Sequence, residues 1–211
     1  MYTKPDAPDY IDIKGLQVVR RDSPPIVKKV STEILEAIMY GKSTDKALEA
    51  ARKAVLRVIT GAESIDDFVT SKALRGSYAN PNAQPHVVVA RKIKERTGEP
   101  VKSGERIPYV FVVDKNIDGL ISQRAEDPSY VQENGLQLDY IYYVDNQLMS
   151  PICALLEVLV DDPAKAILET PEIAAVLTQL RTTRSALVKT VKRVKTNVMN
   201  KQHEITAFFK K

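Results

Sequence analysis

Metal-binding and redox side chains are scarce: the 211 residues include one cysteine, Cys153, and two histidines, His86 and His203. A lone cysteine excludes an internal disulfide, and so small a His/Cys set excludes a zinc-type cluster, which makes a reducing, intracellular setting the default expectation. No apolar run reaches the roughly 20 residues that span a bilayer, and the opening MYTKPDAPDY lacks the apolar core of a secretion signal. There is no Gly-rich phosphate loop, no Ser/His/Asp set at a usable spacing and no helix carrying two histidines, so no catalytic residue is expected. The adjacent carboxylates Asp66–Asp67 and Asp161–Asp162 read as helix-cap chemistry rather than Mg2+ ligands, and His86, between Pro85 and three valines, reads as a partly buried helix-start residue. Phenylalanine is rare as well. Two of the four, Phe208 and Phe209, stand side by side among the last four residues, next to lysines. Chain ends are where burial in a protein's own core is least expected, so these rings call for another partner.

What is present is ordinary for a folded domain: 44% hydrophobic and 27% charged residues, in a chain long enough to bury a sizeable core. The net charge of +4 is unevenly spread. From Arg181 onward nine Lys/Arg face one acid, Glu204, leaving 22 bases and 26 acids before it. A basic end on an acidic body suggests a polyanion partner, the alternative being a solvated helix face.

Periodicity predicts mostly helices. SPPIVKKVSTEILEAIMYG and STDKALEAARKAVLRVITG each carry an inward apolar stripe, with a Pro or Ser/Thr at the start and Gly at the end. QPHVVVARKIKERTG predicts a third helix closing at Gly98. RIPYVFVVDKNIDGLIS predicts a β-hairpin, two strands around an Asp/Asn/Gly turn. QLDYIYYVDNQLMSPICALLEVLV predicts one long apolar helix kinked at Pro151. A final helix opens at Thr170–Pro171, with Ile173, Leu177, Leu180, Leu187, Val191, Val194 and Val198 on one stripe that only Arg184 interrupts. The expected fold class is α+β, mainly α: a helical domain with a small antiparallel β-hairpin and a long C-terminal amphipathic helix.

Read in order, these segments resemble the thumb of family B DNA polymerases, especially the eukaryotic delta polymerase and its relatives in large DNA viruses. DIKGLQVVRRDSPPIV carries the family's Lys-Gly and Arg-Arg-Asp at Lys14, Gly15, Arg20, Arg21 and Asp22. FVTSKALRGSYANPNAQPHVVVARKIKER supplies Ser71, Lys72, Leu74, Tyr78, His86 and Val87 at matching places, and SGERIPYVFV resembles Gly-Asp-Arg-x-Pro-Tyr-Val with Glu105 in the Asp position. EDPSYVQENGLQLDYIYYVDNQLMSPICALLE is similar to the family's Asp-x-Tyr-Tyr-x-x-x-Gln-Leu helix. The likeness covers about Ile11 to Leu156. After Leu168 the chain departs from the cellular delta enzymes, which carry two cysteine clusters there. The palm, fingers and exonuclease motifs are absent from these residues.

The resemblance implies a duplex-gripping region that does not polymerise by itself, either an internal piece of a longer chain or a separately encoded one. It holds no cofactor in this chain; Mg2+ and deoxynucleotides belong to the complete polymerase. Residues 1–25 would be the palm-to-thumb connection, 26–168 the thumb, 169–201 a basic helix and 202–211 a tail. Lys14, Arg20, Arg21, Lys72, Arg75 and Arg106 would bind DNA phosphates, the alternative for each being a surface ion pair with one of the body's acids. Tyr109 would pack beside the backbone or simply in the core. Gln202, Ile205, Phe208 and Phe209 match the clamp-binding pattern Gln-x-x-aliphatic-x-x-aromatic-aromatic, the PIP box, whose spacing gathers the apolar residues on one side of a single turn. Implied partners are primer-template duplex, a sliding clamp and the polymerase's palm and fingers, with no membrane, at the nucleus or a cytoplasmic viral replication site. The alternative function is a stand-alone clamp-binding adaptor without DNA contact.

Overall fold

The computed structural model describes residues 23–41, 43–113 and 119–186. They fall into two compact units, one formed by the residues up to Thr70 with Tyr143–Glu169, the other by Ser71–Tyr142 with the residues from Thr170. The expected class holds: mainly helical, with a small antiparallel sheet.

In the first unit α1 (Pro25–Gly41) and α2 (Thr44–Ile59) pack side by side. Ile26, Val30 and Ile34 on α1 and Ala47, Ala51, Ala54, Val55 and Val58 on α2 are fully buried. The three alanines let the helices approach closely. Arg57 clamps the pair from one side, donating through Nη2 to Glu33 (2.6 and 2.8 Å) and through Nε to Glu63 (2.8 Å). Lys29 reaches Glu63 at 2.5 Å and Asp67 at 3.0 Å. Burial pushes the Glu63 carboxyl up, but its two cations win and hold it below its ordinary value. Asp66 and Asp67 lie in a 3₁₀ turn, Ile65–Phe68, capped by Ser64. The Tyr143 hydroxyl donates to the Phe68 carbonyl (3.1 Å), and the two rings lie 4.8 Å apart.

The segment predicted as one long kinked helix consists of α5 (Tyr140–Tyr143), a π turn (Val144–Leu148) and α6 (Met149–Leu156). The irregularity precedes Pro151 rather than sitting on it: the Met149 N–H donates to the Val144 carbonyl, five residues back. Pro151 offers no N–H to the turn before it, and the widened π turn that precedes it accommodates the missing donor. The helix also stops at Leu156, short of the predicted end. A separate short helix, α7 (Pro163–Leu168), follows, with Asp162 accepting from the Lys165 N–H at 3.0 Å. Arg52 of α2 donates to the Ala166 carbonyl of α7 at 2.8 and 3.0 Å.

The second unit holds β1 (Thr70–Ala73), β2 (Arg106–Phe111) and β3 (Ala125–Glu126) in the order β1-β2-β3. β3 runs antiparallel to β2, with Val110 opposite Glu126 and Phe111 opposite Ala125. The predicted hairpin is therefore corrected. Its second strand begins only at Ala125, because Gly-Leu-Ile-Ser leads into a 3₁₀ turn, Ile121–Arg124, whose Ile121 is 46% exposed and gains no burial from pairing. Helix α3 (Pro85–Thr97) packs on the sheet and ends at Gly98, whose φ of 79° suits glycine. Its Lys92 and Arg96 both bind the Glu126 carboxylate, at 3.1 and 2.9 Å. Arg96 also lies 3.4 Å from the ring centre of Tyr130 in α4 (Pro128–Asn134).

A last helix, α8 (residues 171–186), buries Ile173 and Leu177. Arg184 does not interrupt its stripe. It reaches inward to the buried Asp139 (3.2 Å), which also pairs with the buried Arg124 and accepts from the Tyr142 N–H (3.1 Å). The predicted positions Leu187, Val191, Val194 and Val198 lie outside the described residues.

Candidate nucleic-acid interface

Three of the six candidate DNA-binding cations fall in the described residues, on or just beyond the adjacent strands β1 and β2. β1 is an edge strand, with Lys72 on it and Arg75 two residues beyond it. Arg106 opens the neighbouring strand β2 and is exposed. Its guanidinium is braced by β1, with Nε donating to Ser71 Oγ (3.1 Å) and Nη2 to the Ser71 carbonyl (2.6 Å). Lys14, Arg20, Arg21 and Asp22 lie outside the described residues, as do Gln202, Ile205, Phe208 and Phe209.

Among the described residues none of the three cations forms an ion pair with an acid. By contrast Lys29, Lys53, Arg57, Lys92, Arg96, Arg124 and Arg184 all do. The neutral brace on Arg106 holds the group without cancelling its charge. This pattern suits anion binding better than surface ion pairing.

The chain leaving β1 is pinned on both sides of Leu74. Across the gap, Leu74 N–H donates to the Glu105 carbonyl and Gly104 N–H to the Leu74 carbonyl, both at 2.8 Å. Within the loop the Tyr78 hydroxyl acts as a hub. It accepts from the Arg75 N–H (2.7 Å), reaches the Ala73 carbonyl (3.3 Å) and lies 2.8 Å from His86 Nε2.

His86 is fully buried rather than partly buried as expected, and its ring meets Tyr78 edge-on at 5.3 Å. Burial pushes its pKa below the ordinary histidine value, and the charges of Lys72 and Arg75 push it further. The sequence marked Tyr78 and His86 separately as matches to the family's pattern, and the fold brings them into contact.

The two readings of Tyr109 resolve to one. Tyr109 is a core residue, 8% exposed and edge-on to Phe111 at 5.7 Å, since its side chain points to the buried face of β2. Among the described residues no group of three or more His, Cys, Asp or Glu is placed to hold a metal ion, and no helix is long and apolar enough to cross a membrane. A cavity of about 20 Å³ beside Gln137, Asp139 and Leu180 has room for about one water rather than a ligand.

Comparison with known proteins places these observations in a family. The sequence pattern of "DNA polymerase family B" matches residues 1–159. A DNA polymerase of Paramecium bursaria Chlorella virus NY2A is 42% identical over 211 residues, all of this chain and 23% of that protein. The DNA polymerase delta catalytic subunit of Caenorhabditis elegans is 37% identical over 170 residues, 79% of this chain and 16% of that protein. Among solved structures, the family B DNA polymerase from the archaeon Pyrobaculum calidifontis superimposes with a TM-score of 0.54 at 28% identity, covering 66% of this chain and 18% of that one. The chain thus spans about a quarter or less of the length of these relatives. By its sequence match over residues 1–159 and its similarity to viral and cellular members, the chain belongs to DNA polymerase family B.

Proposed function

We propose that this chain is the thumb and C-terminal region of a family B DNA-directed DNA polymerase that grips primer-template duplex during replication and is tethered to a sliding clamp by its last ten residues. Residues 1–25 serve as the connection from the palm, 26–168 as the thumb, 169–201 as a basic helix and 202–211 as the clamp-binding tail. The observation that carries the reading is that Lys72, Arg75 and Arg106, on or just beyond the adjacent strands β1 and β2, form no ion pair with an acid among the described residues. A thumb needs such cations because duplex is held through phosphates, whose contacts carry no sequence information. Lys14, Arg20 and Arg21, which lie outside the described residues, take the same role by their match to the family's pattern. The tail belongs with the rest, since the alignment to the chlorella virus polymerase runs over the whole chain. The catalytic carboxylates, Mg2+ and nucleotides are supplied by the palm and fingers of the complete enzyme.

The test is duplex affinity as a function of salt. About three to five phosphate contacts give a slope of roughly −3 to −4 for the log of the association constant against log salt, and each lost contact reduces its magnitude by about 0.9. Lys72→Ala with Arg75→Ala and Arg106→Ala should weaken binding alike for unrelated sequences and flatten the slope by about 2 to 3. Binding indifferent to salt would refute the reading and favour a clamp-binding adaptor without DNA contact.

A further inference from the structure

We propose that His86, acting through Tyr78, is a positioning residue for the Lys72 and Arg75 cations, so that occupancy of this edge by a backbone phosphate and the charge state of the imidazole are linked. The inference rests on the reading of the edge as a phosphate-binding surface, and adds to it a proton-linked element inside the fold.

Atom counting at the hub supports it. A phenol oxygen has one hydrogen and two lone pairs. The Arg75 N–H takes one lone pair, the hydroxyl hydrogen goes to the Ala73 carbonyl, and the remaining lone pair suits an Nε2–H of His86. All three contacts are then satisfied at once by the Nε2–H tautomer. That tautomer leaves Nδ1 bare in the interior, where it is buried with no hydrogen-bond partner. A proton added to Nδ1 would place a cation in an apolar site facing two others, Lys72 of β1 and Arg75 of the following loop.

Among the described residues no acid forms an ion pair with Lys72 or Arg75, and Glu105 meets this loop through its carbonyl, which accepts from the Leu74 N–H. On β2 the charged group is Arg106, bound to Ser71. In the 3₁₀ turn Ile121–Arg124 it is Arg124, paired with Asp139, and on β3 it is Glu126, committed to Lys92 and Arg96. The titratable phenol in contact with His86 is Tyr78. On α3 itself Arg91 donates to Asn82 (2.9 Å).

The linkage follows in sign. An anion held by Lys72 and Arg75 cancels the positive potential that opposes protonation, so the bound chain takes up a proton at His86 more readily than the free chain. By reciprocity a charged ring tightens the grip on the anion. The coupling appears as pH falls through the bound-state midpoint of His86 and vanishes above it.

Proton NMR of the full chain reads this directly. There are two histidines, and His203→Gln identifies which ring signal is His86. The His86 titration midpoint should move upward when the chain is saturated with a short mixed-sequence duplex. Lys72→Ala with Arg75→Ala should move it upward without DNA and abolish any further movement on adding duplex. Tyr78→Phe, which keeps the ring but removes the hub, should weaken duplex binding about fivefold and uncouple the shift. A midpoint unmoved by duplex, in a chain whose binding still weakens with salt, overturns the linkage and leaves the phosphate reading intact. Full affinity and an unchanged shift in Tyr78→Phe overturn the role of Tyr78. A chain that fails to bind duplex at low salt overturns both.

Discussion

Asp139 holds two arginines at once, and replacing it separates the electrostatic worth of that site from its geometric one. Its side chain is 1% exposed, Arg124 is 6% exposed and Arg184 is 21% exposed. Arg124 also lies 5.7 Å from the Tyr142 ring centre, and Asp139 Oδ1 caps the Tyr142 N–H. In Asp139→Asn the oxygen that caps is kept and the charge is lost, leaving a buried guanidinium without its carboxylate. Removing one partner of a buried pair costs about 3 to 5 kcal/mol. At about 2 to 4 °C per kcal/mol for a chain of this size, Tm should fall by roughly 6 to 20 °C. Asp139→Ala removes the cap as well and should cost about 1 kcal/mol more. Arg184→Ala should cost at most about 1 kcal/mol, because that guanidinium reaches solvent. Arg124→Met combined with Asp139→Leu removes both buried charges and should destabilise less than Asp139→Asn alone. Urea denaturation followed by circular dichroism measures the series. An Asp139→Asn cost below about 1 kcal/mol, or one matched by Arg184→Ala, would refute the buried-pair reasoning.

Three further outcomes are expected. Phe208→Ala with Phe209→Ala should abolish binding of the peptide Lys201–Lys211 to its cognate clamp, where burying each ring is worth roughly 1.5 to 3 kcal/mol, while Lys210→Ala should leave calorimetric affinity nearly unchanged. The isolated chain, given primed template, Mg2+ and nucleotides, should extend no primer in a gel assay, and templated extension would contradict the assignment of catalysis to the palm. Burial pushes the Glu126 carboxyl up, but Arg96 and Lys92 hold it below its ordinary value. Its stabilisation is therefore complete above the ordinary carboxylate range and is lost as pH falls through the lower folded value. Glu126→Gln should flatten that acid limb in urea midpoints measured against pH.

The amino-acid order alone determined most of the helical framework and the family. Local signals are self-contained: Pro25 and Gly98 mark ends, the period of Ile26, Val30 and Ile34 marks a face, and the ordered likeness from Ile11 to Leu156 marks the family, now borne out by the matches to family B polymerases. The candidate cations were legible one by one, and their chemistry follows from side-chain type. Only the tertiary structure decided which strands carry them and which charges are spoken for. Lys92 and Arg96 look as free in the sequence as Lys72 and Arg75, yet the first two are consumed by Glu126 while the second two form no ion pair with the described acids. Arg184 read as a flaw in an apolar stripe until Asp139, 45 positions earlier in the numbering, came to meet it. The late start of β3 and the burial of His86 have the same origin. Pairing, burial and charge compensation depend on which distant residues arrive at a site, and periodicity along the chain carries no record of that.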